Sequence, residues 1–293
     1  MAAAMQVKDI SSAYGSEIED LDLREELDAQ TIRALRELLD ERSALLFRGI
    51  DLDYESQDRL CRRLIGDEGP GSTADRDPRF ISNKEPDGLA PYGRLMFHAD
   101  MMWAPEPFQV LSLYAVNVES GSATTSLTSG VHVWETLPAD LRARVDGLHA
   151  VHITGQVYAR GGDDLLRPQR EHEESKVSPI VIRHPRTGKT ILYVSQQMTR
   201  EIVELPHDES EELLQVLFAH LYDPAVVYEH EWRNGDLLVF DNLAMQHARG
   251  NVEAGGPVRT LRKVIAPIPK IASERPTFAT VRSRPTGEAR HDS

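Results

Sequence analysis

A chain of 293 residues with 33 Lys and Arg against 47 Asp and Glu carries a formal net charge of −14. That balance argues against a nucleic-acid binder, because phosphate recognition needs clustered cations. Forty per cent hydrophobic and 27% charged residues describe a globular protein able to bury a full core. Cys61 is the single cysteine, so no disulfide can form within the chain, and no stretch is apolar enough for a membrane span. Met1-Ala-Ala-Ala-Met5 lacks the basic region and long apolar core of a signal peptide, and the expected location is cytoplasmic.

In chain order, Asp28 can cap a helix in which Ile32, Leu35, Leu38 and Leu39 make one apolar face. Ser43-Ala-Leu-Leu-Phe47 reads as a buried strand, and Leu60, Cys61, Leu64 and Ile65 stripe a second helix ending at Gly66. From about residue 105 strands dominate: Val110–Val118, Ala150–Thr154, Pro179–Arg183, Thr190–Ser195, Ala225–Trp232, Leu237–Asp241 and Val258–Ala266. Pro185-Arg-Thr-Gly188 and Asn234-Gly235 both read as hairpin turns. One helix follows Leu137-Pro138, and another carries Leu213, Leu214, Leu217 and Leu221 on one side.

Many short antiparallel strands with a few helices predict a mainly β fold with flanking helices, a jelly-roll sandwich or barrel. A single domain over 1–274 is expected, with polar lid loops near 67–95 and 156–176 and a flexible tail over 275–293.

Phe97-His98-Ala99-Asp100 holds the first chemistry. In an extended segment residues two apart share a face, so His98 and Asp100 can reach one ion. An imidazole beside a carboxylate suits a divalent first-row metal, and a third ligand would complete a facial triad. Asp236-Leu-Leu-Val-Phe-Asp-Asn-Leu-Ala-Met-Gln-His247 runs from a strand into a turn and delivers a second histidine. Val258-Arg-Thr-Leu-Arg-Lys-Val264 then sets Arg259 and Lys263 on one strand face, and a buried guanidinium suits two-point capture of a carboxylate.

This order, with its flanking residues, resembles the taurine dioxygenase and 2,4-dichlorophenoxyacetate dioxygenase (TauD/TfdA) family of 2-oxoglutarate enzymes over roughly Val7 to Pro267. Gly15 to Arg24 looks like the family's opening segment, and Ala44-Leu-Leu-Phe-Arg-Gly49 resembles its first core strand. Trp134-Glu-Thr-Leu-Pro138 and the block from Trp232 to His247 also match.

The resemblance implies a double-stranded β-helix (cupin-like jelly roll) and roles for particular residues. His98, Asp100 and His247 match the ligands of Fe(II). Arg259 matches the arginine that pairs with the distal carboxylate of 2-oxoglutarate, and Thr124 matches the threonine that hydrogen-bonds it. The implied reaction uses O2 to hydroxylate an unactivated C–H of a small organic molecule, releasing succinate and CO2. Related halogenases lack the carboxylate that Asp100 supplies, so its presence favours hydroxylation over halogenation. Three departures stand out. Phe97 replaces the usual Trp, Gly121-Ser-Ala-Thr124 replaces Gly-Gly-Asp-Thr, and the His-to-Arg gap is one residue longer, which keeps Arg262 as the alternative to Arg259.

Asn83, Tyr92, Met102 and Lys263 are the candidate substrate contacts. The expected partner is a small molecule, a carboxylate or sulfonate with an apolar portion, and the expected assembly is a homo-oligomer, dimer or tetramer. The competing readings are a catalytically silent β-barrel binding protein, a zinc hydrolase using the same ligands, and another oxidative outcome such as desaturation.

Overall fold

The computed structural model describes residues 5–66, 79–105, 107–154 and 174–267. The first half of the chain supplies β1 (Gln6–Asp9), β2 (Ser16–Glu19), α1 (Ala29–Arg42), β3 (Ala44–Phe47), α2 (Tyr54–Leu64), β4 (Arg79–Ser82), β5 (Gly93–His98), β6 (Phe108–Val118), β7 (Thr125–Ser129), α3 (Gly130–Thr136) and α4 (Ala139–Val145). The second half supplies β8 (His149–Ile153), β9 (Ser175–Pro179), β10 (Val181–Arg183), β11 (Thr190–Leu192), β12 (Thr199–Ile202), α5 (His207–Leu221), β13 (Tyr228–His230), β14 (Leu237–Asp241), β15 (Met245–Val252) and β16 (Arg259–Pro267).

Two sheets make the body. The larger runs β1-β2-β3-β14-β6-β16-β4 and the smaller β13-β7-β15-β5. Side-chain parity on the central strands explains why their sequences are apolar throughout. Leu237 and Val239 of β14 pack toward α1 and α2, where Leu35, Leu39, Leu60 and Leu64 cover the sheet. Leu238 and Phe240 point the other way and meet Leu127 and Met245 of the smaller sheet. A strand covered on both faces has no polar side to show. The layered, mainly β architecture is the one expected from the strand pattern.

The helices follow from their caps and stripes. Asp28 accepts a hydrogen bond from Thr31 N at 2.7 Å and starts α1, whose Ile32, Leu35 and Leu39 are buried. Asp53 does the same for α2 through Ser56 N. Leu213, Leu214, Leu217 and Leu221 of α5 are buried against the three-stranded sheet β12-β8-β9 and its neighbours.

Two local expectations change. The described part of the 67–95 stretch holds β4 and the start of β5, which edge the larger and smaller sheets respectively, while 67–78 lie outside the described residues. Edge strands expose polar side chains and so lack the apolar alternation that marks a strand in sequence. Of 156–176, only the end is described, and Ser175 opens β9; the 275–293 tail lies outside the described residues.

Asn234-Gly235 is not a hairpin. It carries the chain from β13 in the smaller sheet to β14 in the larger one. Gly235 sits at φ +81°, and a Cβ there would meet the backbone oxygen of Ile50 at 2.8 Å. Gly235→Ala is therefore expected to destabilise the fold by at least about 1–2 kcal/mol from the left-handed backbone alone, read as a lower urea midpoint. An unchanged midpoint would contradict this account of the crossing.

Candidate metal centre

β5 and β15 are antiparallel neighbours, and their register sets His98 directly opposite His247. The two rings lie 4.2 Å apart between centroids, tilted by 43°. Asp100 follows two residues beyond the end of β5, and one ligand atom from each of His98, Asp100 and His247 lies within 4.8 Å of the others.

The proton positions suit coordination. His98 Nδ1 is 2.7 Å from Met96 O, and a carbonyl only accepts, so Nδ1 carries the proton and Nε2 offers its lone pair. That Nε2 is 3.2 Å from Asp100 Oδ1, and His247 Nε2 is 3.9 Å from the same oxygen. Burial, followed by the neighbouring His98, lowers the His247 pKa to about 3, so this imidazole is neutral at working pH.

Burial pushes Asp100 upward, but the Lys263 ammonium beside it outweighs that and holds the carboxyl well below the ordinary range. Lys263 Nζ contacts Asp100 Oδ2, which leaves Oδ1 facing the imidazoles. Two imidazole nitrogens and one carboxylate oxygen make a donor set suited to a divalent first-row metal.

Arg259 lies on β16 and is 3% exposed. Its Nε donates to Ala123 O at 2.8 Å and its Nη2 to Thr125 Oγ1 at 3.0 Å, while Nη1 is buried with no hydrogen-bond partner. Among the described residues no carboxylate pairs with it. Burial, followed by the charge of Arg249, lowers its pKa to about 9, still protonated at neutral pH. A buried cation with an unmet N–H is the arrangement that an anionic ligand would complete.

Arg262 faces the other side of β16. Its Nε donates to Gln57 Oε1 at 2.7 Å, Nη2 donates to Leu52 O, and the guanidinium lies 4.6 Å from the Tyr114 ring centroid. It is occupied in tying α2 and the preceding loop to the sheet.

Several sequence-derived candidates move. Thr124 lies on the outer side of the smaller sheet, lining a recess of about 490 Å³ with Phe97, Ser126 and Ala248. Each of those three alternates with a residue on the inner side, namely His98, Leu127 and His247. Thr125 is the residue beside Arg259, and its Oγ1 also accepts from Trp232 Nε1 at 3.0 Å. The hydroxyl that reaches Arg259 is thus that of Thr125 and not of Thr124. Strand parity carries the signal: Thr125 shares a face with Leu127, a buried apolar residue.

Asn83 lies beside the start of β16. Its Nδ2 donates to Pro257 O and its Oδ1 accepts from Arg259 N, both at 2.9 Å, so it clasps the start of β16. Met102 is fully buried among Ala99, Val131, Tyr193 and Leu243 and serves packing. Tyr92 is 52% exposed, and its carbonyl accepts from Arg249 Nη2 at 3.1 Å. Lys263 Nζ sits on Asp100 Oδ2. Arg249 and Asn242 were not singled out from sequence. Arg249 is buried two residues after His247 and reaches the carbonyls of Ala90, Tyr92 and Gly93.

Comparison with known proteins covers nearly the whole chain. Residues 6–265 match the family described as taurine catabolism dioxygenase TauD, TfdA family. The chain is similar to the alpha-ketoglutarate-dependent 2,4-dichlorophenoxyacetate dioxygenase of Cupriavidus pinatubonensis, at 28% identity over 253 residues, covering 80% of this chain and 88% of that protein. It is similar to the pentalenolactone F synthase of Streptomyces arenae, at 29% identity over 287 residues, covering 89% and 95%. Among solved structures, a taurine dioxygenase from Burkholderia xenovorans superposes with a TM-score of 0.73 at 26% identity, covering 90% of this chain and 91% of that one.

Proposed function

We propose, from the premise that this chain belongs to the taurine catabolism dioxygenase (TauD, TfdA) family and is a 2-oxoglutarate-dependent non-haem iron dioxygenase, that it hydroxylates an unactivated C–H bond of a small organic molecule. One observation carries the reading: three electron-pair donors converge within 4.8 Å, and Arg259 presents a buried guanidinium with an unmet N–H. A silent binding protein has no need of both, and a zinc hydrolase has no use for Arg259.

His98, Asp100 and His247 hold the metal in this reading. Lys263 keeps one Asp100 oxygen engaged, so the carboxylate binds through the other alone. Arg259 and Thr125 grip the distal carboxylate of 2-oxoglutarate, and Trp232 Nε1 orients the Thr125 hydroxyl so that its lone pair is taken. Fe(II) with 2-oxoglutarate and O2 supplies an oxidant strong enough to take hydrogen from an unactivated carbon, giving succinate, CO2 and the hydroxylated product. The protein contributes the orientation of the metal ligands and of the cosubstrate.

The substrate is expected to be a small carboxylate or sulfonate with an apolar portion, the type named for the 2,4-dichlorophenoxyacetate and taurine dioxygenases. A screen of aryloxyalkanoates, alkylsulfonates and uncharged analogues, scored by succinate release with iron and ascorbate, tests this. Anaerobic addition of Fe(II) and 2-oxoglutarate should also produce a charge-transfer absorption. Neither absorption nor succinate from any compound would favour the silent protein, and oxygen-independent hydrolysis would favour zinc chemistry.

A further inference from the structure

The three donors are not held alike. His98 lies in β5 and His247 in β15, paired across a hydrogen-bonded ladder, so the sheet itself fixes both. Asp100 lies beyond the end of β5. Met101, immediately after it, adopts φ +58°, a left-handed conformation that a non-glycine residue holds only under constraint. Some other element must fix the Asp100 backbone before its carboxylate can aim at a metal.

Asn242 does so. Its Oδ1 accepts from Asp100 N at 2.9 Å and its Nδ2 donates to Asp100 O at 2.9 Å, so one side chain takes both backbone groups of the ligand residue. Nδ2 also lies 3.3 Å from Phe108 O, and Asn242 is 1% exposed. The amide can point only one way, since the reverse orientation would set donor against donor and acceptor against acceptor. The clasp is anchored in turn. Asp241 Oδ1 accepts from Leu243 N and Ala244 N, both at 2.9 Å, which closes the turn after β14, and its Oδ2 accepts from His184 Nε2 and Gln109 Nε2.

We propose that Asn242 is the positioning residue of the metal centre, setting metal affinity by locking the peptide of Asp100 against the end of β14. The proposal rests on the reading of His98, Asp100 and His247 as metal ligands. An outer residue that orients a ligand typically contributes 10–100-fold to metal affinity.

The test uses the full chain and Mn(II) as probe, its binding followed by loss of the free-ion electron paramagnetic resonance signal. Asn242→Leu keeps shape and removes every hydrogen bond; Asn242→Ala admits water to the vacated space and keeps the fold accessible if leucine does not. Thr128→Val is the control, deleting a buried bond to Leu221 O elsewhere in the sheet. The expected result is a Mn(II) dissociation constant raised at least about 10-fold in the Asn242 variants. The control should lose comparable thermal stability with affinity unchanged. Affinity within twofold of wild type in either folded Asn242 variant overturns the proposal, as does equal weakening in Thr128→Val. Wild-type protein that binds no Mn(II) would instead sink the metal reading on which the proposal stands.

Discussion

Replacing His98 by alanine is expected to abolish iron-dependent succinate formation, a loss on the order of a thousandfold or more. A bound metal supplies several kcal/mol of transition-state stabilisation, and each ~1.4 kcal/mol is tenfold in rate. Two features make His98 irreplaceable. Its Nδ1–H is fixed on Met96 O, which aims Nε2 at the centre, and among the described residues no further His, Cys or acid joins the cluster. Asp100 and His247 alone would leave two donors, one of them held by the clasp at Asn242 and not by the ladder. The comparison variant is His149→Ala, which removes a half-exposed ring bound to Glu204 and should leave turnover untouched. Anaerobic absorption of the iron–2-oxoglutarate complex should vanish only in the first variant. Retained absorption in His98→Ala would dismantle the assignment of the centre.

The second large effect concerns Arg259 and has two opposite signs. Arg259→Met should raise the 2-oxoglutarate concentration for half-maximal rate by roughly 30-fold or more, since truncating one partner of a buried charge pair costs about 2 kcal/mol at least. The same change should leave the ligand-free protein as stable as wild type or more so. The guanidinium is buried, among the described residues no carboxylate answers it, and its Nη1 has no acceptor, so the apoprotein carries an uncompensated charge that methionine would remove. Urea midpoints measured without cosubstrate check this half. Arg262→Met should behave in reverse, lowering stability through the lost bonds to Gln57 and Leu52 with little effect on cosubstrate affinity. An unchanged 2-oxoglutarate requirement in Arg259→Met would remove Arg259 from the binding site.

What was legible in the sequence was whatever depended on neighbours along the chain. Asp28 before an apolar stripe announces α1, and the unbroken apolar run at Leu237–Phe240 announces a strand covered on both faces. His98 and Asp100, two apart in an extended segment, could be set on one side without knowing the fold. Parity and pairing were harder. A threonine one place off, Thr124 in place of Thr125, points to the opposite face, and only the position at which β7 begins decides between them. Asn234-Gly235 has the composition of a hairpin, yet a tight turn is chemically the same whether the chain returns to its own sheet or crosses to another. Asn83 and Asn242 act on residues distant in sequence, Arg259 and Asp100, so no local pattern could reveal them. Met102 shows the limit of composition, because an apolar residue near a reactive motif may line a pocket or fill a core, and here it fills a core.

β16 lies inside the larger sheet, between β6 and β4, and not at its rim. β16 therefore covers the flank of β6 that β14 leaves open, and among the described strands it is the one that β4 pairs with. Arg259 and Lys263 arrive with that closing strand, after all three metal donors are already made. A nascent chain stalled just short of it could gather the two histidines and still lack both the cation that trims Asp100 to a single free oxygen and the grip for the cosubstrate.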